Sequence, residues 1–308
     1  MSSPVSSIIR TILVSLRRLY PEHLADKAWD NTGLLLSPPP LSLPPSALKT
    51  PKILLTIDLT TAVATEAIGL NAAMVVTYHP IIFRPLKSLT TDNTQQTSLL
   101  RLAQAGISVY SPHTAVDAVK RGVNDWLATG VSGGELYETS RTPIQPCPGV
   151  QGTEYDGSGY GRLITLKEPT DIRTVVERVK GFLGMNRLQV ALAKRHSVAE
   201  PERDIKTIAV CAGSGGSVFK DVKADLLFTG EMSHHEALSA KETGTSIIAC
   251  FHSNTERGYL PLMKQKLLET LPGAWEEMIE EEGRDEMMDL EGWDVVISQD
   301  DRDPYEIL

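Results

Sequence analysis

Short apolar runs alternating with helix-period stretches constrain this 308-residue chain more than any other feature. Lys52–Asp58, Ala72–Thr77 and Ile107–Tyr110 carry mostly aliphatic or β-branched side chains, as strands covered on both faces do. Thr61–Leu70 and Gln95–Ala105 between them read as helices, and another helix begins near Asn124. Parallel neighbours need such crossovers, so the alternation predicts a mostly parallel sheet with helices on its faces. A second block repeats the pattern. Strands are expected at Gly161–Leu166, Arg187–Ala193, Thr207–Cys211, Leu226–Thr229, Thr245–Phe251 and Asp294–Ser298. Helices are expected over Asp171–Leu183 and through His234–Thr243. Between the blocks, Ser132–Gly159 is rich in Gly, Pro, Ser and Thr. The predicted fold is α/β: an N-terminal α/β domain over 1–135, a linker over 136–160 and a C-terminal α/β domain over 161–308, with mixed, mostly parallel sheets.

At 41% apolar and 22% charged residues, the composition is that of a soluble globular protein. No run approaches the ~18 apolar residues of a membrane span. The first helix, from about Pro4 to Tyr20, places Ile8, Ile9, Ile12, Leu13 and Leu16 on one face. The same stretch is basic and bears serines, so it also loosely fits a mitochondrial presequence. Cys147, Cys211 and Cys250 form no C-x-x-C pair, and Cys211 and Cys250, lying in apolar runs, read as buried thiols of a reducing compartment. The expected location is cytoplasmic, with nucleus and mitochondrion as alternatives. From Glu276 to Glu306 there are 14 acids against Arg284 and Arg302, a balance of −12, so the −9 total leaves the rest near +3. The segment at about 276–291 therefore reads as a solvated acidic insertion. No basic stripe with interleaved aromatics supports direct nucleic-acid binding.

Chemistry gathers at the strand ends. His252-Ser-Asn-Thr-Glu256 follows the apolar run Ser246–Phe251 and puts an imidazole and a carboxylate on one face of a helical turn. His79 closes the run Met74–Tyr78, held extended by Pro80. His113 and Asp117 close the strand at Ile107–Tyr110 as an H-x-x-x-D pair. Nitrogen and carboxylate donors together suit divalent transition metals. Each motif also has a plainer reading: His79 as a packing histidine, Asp117 as an acid stabilised by a helix N-terminus. Glu231, His234 and His235 either line a site or belong to a capping box of Ser233 with Glu236. The Gly-rich turn Cys211–Ser217 lacks the lysine of a P-loop.

Five motifs in order resemble the Nif-three-like family, also described as GTP cyclohydrolase I type 2 homologues. They are Trp29-Asp-Asn-Thr-Gly-Leu, Thr77-Tyr-His-Pro-Ile-Ile-Phe, Ser111-Pro-His-Thr-Ala-Val-Asp, Thr229-Gly-Glu-Met-Ser-His-His and His252-Ser-Asn-Thr-Glu-Arg-Gly. The ending Val295–Pro304 resembles that of the eukaryotic members. The resemblance implies two α/β domains with a dinuclear metal site at the cleft between them, in a ring-like hexamer. It carries the ligands onto His79, Asp117, His252 and Glu256, which should therefore converge on one site. Bacterial members have His-His where this chain has Tyr78-His79, so Tyr78 and His113 are the further donors to consider. The implied activity is a metal-dependent hydrolase with two divalent ions (Zn, Fe, Mn or Co), acting on a nucleotide or another phosphate-bearing small molecule. Glu231 and His235 are the catalytic proton carriers under that reading. The alternative is a non-catalytic metal-binding protein that partners transcriptional regulators, as eukaryotic relatives are described.

Overall fold

Apolar strands fill the first sheet as their sequences require. It holds β1 (Gly33–Leu36), β2 (Lys52–Thr56), β3 (Met74–Thr77), β4 (Ser108–Ser111) and β11 (Asp294–Ile297), in the order β1-β4-β3-β2-β11. Four strands run parallel, and β1 closes one edge antiparallel to β4. This is a computed structural model, and it describes residues 4–39, 49–196, 204–283 and 290–306. Most of the proline-rich stretch 37–46 lies outside the described residues.

The helices of this unit are α1 (Pro4–Leu19), α2 (Thr61–Gly69), α3 (Thr94–Gln104) and α9 (Leu260–Glu282). Thr60 caps α2 by accepting from the Val63 N–H, and Asn93 caps α3 through Gln95 and Gln96. Val63, Ala64 and Ala67 of α2 and Leu102 of α3 bury with Leu54, Val75 and Val109 of the strands. On α1, Ile8, Ile12 and Leu16 are buried, as the spacing predicted.

The acidic segment differs from the expected solvated insertion. Glu276–Glu282 is the last part of α9, and Trp275 and Met278 are buried there. Arg18 of α1 pairs with Glu277 and Arg10 with Glu281, so the acids form the outer stripe of a packed helix. Charge counting missed the apolar positions between the acids. Residues 284–289 lie outside the described residues. Deleting 276–289 is expected to lower the melting temperature by several degrees, because burying one Met side chain contributes about 1.5–3 kcal/mol. A thermal scan showing no change would return the segment to the solvated class.

The second unit is built on six strands: β5 (Glu138–Pro146), β6 (Gly159–Thr170), β7 (Gln189–Ala191), β8 (Ile205–Ser214), β9 (Leu226–Glu231) and β10 (Ser246–Ala249). Their order is β5-β6-β8-β9-β10-β7, with β8, β9 and β10 parallel and the other pairings antiparallel. The stretch expected as a linker thus supplies β5. Pro143 fits there because β5 is an edge strand, where a missing N–H breaks no ladder. Four helices complete the list: α4 (Thr114–Ala118), α5 (Val123–Ser132), α6 (Ile172–Leu183) and α7 (His234–Glu242), followed by the single turn α8 (Asn254–Arg257).

The chain divides into Met1–Ala115 with Leu260–Arg302, and Val116–Tyr259 with Asp303–Leu308. Both units are therefore assembled from separated stretches, unlike a consecutive cut at 136–160. The reason is a long-range pairing: β11 runs parallel to β2, in register from Asp294 with Lys52 to Ile297 with Leu55.

Candidate metal centre

In the first unit, the C-terminal ends of three neighbouring parallel strands deliver the polar groups, where sites in open α/β sheets form. β2 leads to Asp58, β3 to Tyr78 and His79, and β4 to His113. The His79 N–H donates to the Ile57 carbonyl at 3.0 Å, which fixes the strand end. Its ring Nδ1 lies 3.0 Å from Asp58 Oδ1. That carboxylate favours the tautomer with the proton on Nδ1 and the lone pair on Nε2.

His113 repeats the device. Its Nδ1 is 2.6 Å from Asp30 Oδ1, and the Asp30 carboxylate is only 1% exposed. Asp30 also accepts from the backbone N–H groups of Asn31 and Thr114 and from the Thr114 hydroxyl. Burial pushes the Asp30 pKa up, but the His113 contact and the Thr114 bonds outweigh it and hold the carboxyl below its ordinary value. His113 itself sits at φ +30°, an uncommon conformation for a residue with a Cβ. Tyr78 is buried, with its ring edge-on to both His79 and His113 at centroid distances of 5.4 and 6.2 Å.

In the second unit, β9 ends at Glu231 and β10 leads through Phe251 to His252 and α8. Phe251 has φ +65°, so the chain turns sharply just before the histidine. His252 Nδ1 lies 3.0 Å from Glu231 Oε1, and its Nε2 lies 3.4 Å from Glu256 Oε1. Glu256 is 2% exposed. Behind them, Gly213 of β8 has φ +61°, and a Cβ there would stand 2.8 Å from His252 Nε2 and 2.9 Å from Glu256 Oε1. Only glycine leaves this cradle open. The Gly213 N–H donates to Thr255 Oγ1, whose hydroxyl donates to the His252 carbonyl, tying the loop to the turn.

Asp117 belongs to the same unit. Asn124 Nδ2 donates to its carbonyl at 3.0 Å, and Asn124 Oδ1 accepts from the Ala212 N–H at 2.9 Å, so Asp117 is tethered to the end of β8. Burial raises the Cys211 thiol pKa, and the Asp117 and Glu256 carboxylates raise it further. Both acids thus act on one buried sulfur, which is a structural thiol and no nucleophile.

A family model described as Duf34/NIF3 (NGG1p interacting factor 3) matches residues 7–282. The chain belongs to that family. The "Protein NIF3 homolog" of Schizosaccharomyces pombe is 47% identical over 265 residues, 85% of this chain and 89% of its own length. The "NGG1-interacting factor 3" of Saccharomyces cerevisiae is 41% identical over 302 residues, 95% and 94% of the two chains. Among solved structures, a Bacillus cereus protein related to NIF3 superposes with TM-score 0.68 at 22% identity, covering 97% of this chain and 98% of its own. Reduced HcgD from Methanocaldococcus jannaschii superposes with TM-score 0.67 at 24% identity, covering 94% and 97%. These two likenesses establish the shared NIF3 fold.

Within the NIF3 chain, the predicted residues fall into distinct settings. His79, Tyr78 and His113 gather in the first unit, and Asp117, Glu231, His252 and Glu256 belong to the second. Glu231 holds the His252 ring. His235 is exposed in the first turn of α7 and lines a cavity of about 670 Å3 with Phe219, Lys220 and Met232. The capping box of Ser233 and Glu236 is present. Sequence reading missed Asp58, Asp30 and Gly213. The signal for Asp58 was there, since it also follows an apolar strand. Asp30 stands inside the Trp29-Asp-Asn motif, and no local pattern ties it to His113, 83 positions away. No helix among the described residues is long and apolar enough to cross a membrane.

Proposed function

We propose that this NIF3-family chain is a dinuclear metal-binding protein and a metal-dependent hydrolase of a nucleotide or another phosphate-bearing small molecule. His79, His252 and Glu256 would hold the ions, with Asp117 as the fourth ligand and Tyr78 and His113 as further donors. The observation that carries the reading is the carboxylate on Nδ1 of His79 and again of His252. Such carboxylate–imidazole pairs orient metal-ligating histidines and raise their basicity. Two imidazoles with two carboxylates suit Zn, Fe, Mn and Co alike. Bound divalent ions would supply Lewis acidity and a water of lowered pKa.

The protein's own groups do the rest. Asp58 and Glu231 fix the imidazole tautomers, and Gly213 keeps space beside His252 and Glu256. Glu231, being committed to His252, acts as an orienting group, which leaves His235 to carry a proton. A ring-like hexamer belongs to the same reading by resemblance, and a cytoplasmic location by the cysteines, which read as thiols of a reducing compartment.

A second reading follows from the name of the budding-yeast relative, an NGG1-interacting factor. There the metal would shape a surface for a transcriptional regulator without turnover. Metal analysis of the purified protein, with a nucleotide and phosphoester screen of wild type and His252→Ala, separates the two. Two ions per chain and turnover lost in the variant are expected; bound metal without turnover selects the partner role. A metal-loaded crystal structure should give ligand contacts of ~2.0–2.3 Å. Any of the four donors lying beyond roughly 10 Å from the others would sink the shared site, given contacts of that length.

A further inference from the structure

Beside the histidines of the first unit stands an aromatic pair that the metal reading leaves unused. Trp29 is 52% exposed and Phe83 44%, with ring centroids 5.9 Å apart. Both rings meet His113 edge-on, at 5.7 and 6.5 Å. His113 in turn lies 5.5 Å from His79.

The pair is held in place. The Trp29 indole N–H donates to Asp26 Oδ2 at 2.8 Å, and Asp26 Oδ1 accepts from the Ala28 N–H. The Asp26 N–H is anchored on the Thr114 hydroxyl at 3.0 Å. Asn31 Nδ2 donates to the Ile82 carbonyl and so fastens the tryptophan loop to the phenylalanine loop. The tryptophan loop is thus fixed by four hydrogen bonds, while about half of each residue stays exposed and the two rings stand tilted at 54° to each other.

We propose that Trp29 and Phe83 form a stacking platform for the planar heteroaromatic ring of a small ligand, the base of a nucleotide being the fitting class. Flat rings stack on indole and phenyl faces with little dependence on which base is offered. A cationic ligand such as a methylated amine is the other chemistry that aromatics accept. Divalent ions held by the neighbouring imidazoles would repel it, whereas a neutral ring bearing an anionic tail would be drawn in. The inference deepens the proposed function by naming which part of the substrate the protein grips, and it rests on that reading for the role of His79.

The test uses full-length protein and two probes that lack a phosphate, guanosine and adenosine, with ribose as the ringless control. Binding is read by saturation-transfer NMR and titration calorimetry. Both nucleosides should bind wild type and ribose should not. Trp29→Ala should weaken nucleoside binding about tenfold, equivalent to ~1.4 kcal/mol and within the range for base stacking on an aromatic ring. Trp29→Phe should restore most of it. Phe83→Ala is the second variant should Trp29→Ala fail to fold. Absence of nucleoside binding, equal binding by ribose, or unchanged binding in both alanine variants overturns the platform. So does a variant that alters only the sedimentation coefficient, since the face is then a contact between copies. Because a nucleoside offers no phosphoester, failure of the hydrolase reading shows separately, as absent turnover alongside intact ring binding.

Discussion

Asp125→Ala is expected to lower the unfolding free energy by about 3–5 kcal/mol, the cost of leaving a buried charge without its partner. Arg162 is 2% exposed, and its Nε and one terminal nitrogen donate to the two Asp125 oxygens at 2.9 and 2.8 Å. Its remaining donors reach the carbonyls of Gly159, Gly161 and Val119. Removing Asp125 therefore strands a guanidinium among neutral acceptors inside the second unit. The double variant Asp125→Ala, Arg162→Met should recover much of the loss. Burial pushes the Asp125 pKa up, but the Arg162 hydrogen bond and charge outweigh it, and the carboxyl ends below its ordinary value. Its contribution is thus fully present above the unfolded-state value and is lost as pH falls through the lower native one. Urea unfolding of wild type and Asp125→Asn should differ most near neutral pH and converge in strong acid. A constant difference down to low pH would show that geometry, not charge, carries the effect.

The second large effect is expected from one methyl group. Gly213→Ala would bring a Cβ to 2.8 Å from His252 Nε2 and 2.9 Å from Glu256 Oε1, so both donors must move. Disturbing groups around a metal ligand typically costs about 10–100-fold in affinity, and a change at this position should weaken metal binding at least that much. The left-handed backbone adds a stability loss of roughly 1–2 kcal/mol. Gly149→Ala separates the two contributions. Gly149 has φ +73° and open space where its Cβ would stand. It should lose stability to a similar extent and keep the metal. Equal metal affinity in the two variants would mean that Gly213 serves only the turn it forms.

How legible these features were in the sequence depends on range. Strand ends could be read because β3 and β10 are mostly apolar and are followed within a few residues by His79 and by His252 with Glu256. The capping box at Ser233 and Glu236 could be read because its partners are three residues apart. Asp30 and His113 are 83 positions apart, and Arg162 and Asp125 are 37 apart, so no local pattern announces either pair. β5 was read as linker because its Thr, Pro and Gln suit an exposed edge and give no alternation of apolar residues. The last turns of α9 are hidden by composition: five of the seven residues Glu276–Glu282 are acids and dominate an average, but Trp275 and Met278 fall on one face at i, i+3.

The pairing of β11 with β2 sets a clock on biosynthesis. Lys52 and Asp294 are partners 242 positions apart. At about 5–20 residues per second, the ribosome takes roughly 12–50 s to deliver the second after the first. Throughout that time the β2 edge of a nascent sheet offers unpaired N–H and C=O groups, the kind of template on which chains aggregate. The last forty residues therefore finish what the first hundred begin, and the nascent chain needs protection at Lys52–Thr56 until they arrive.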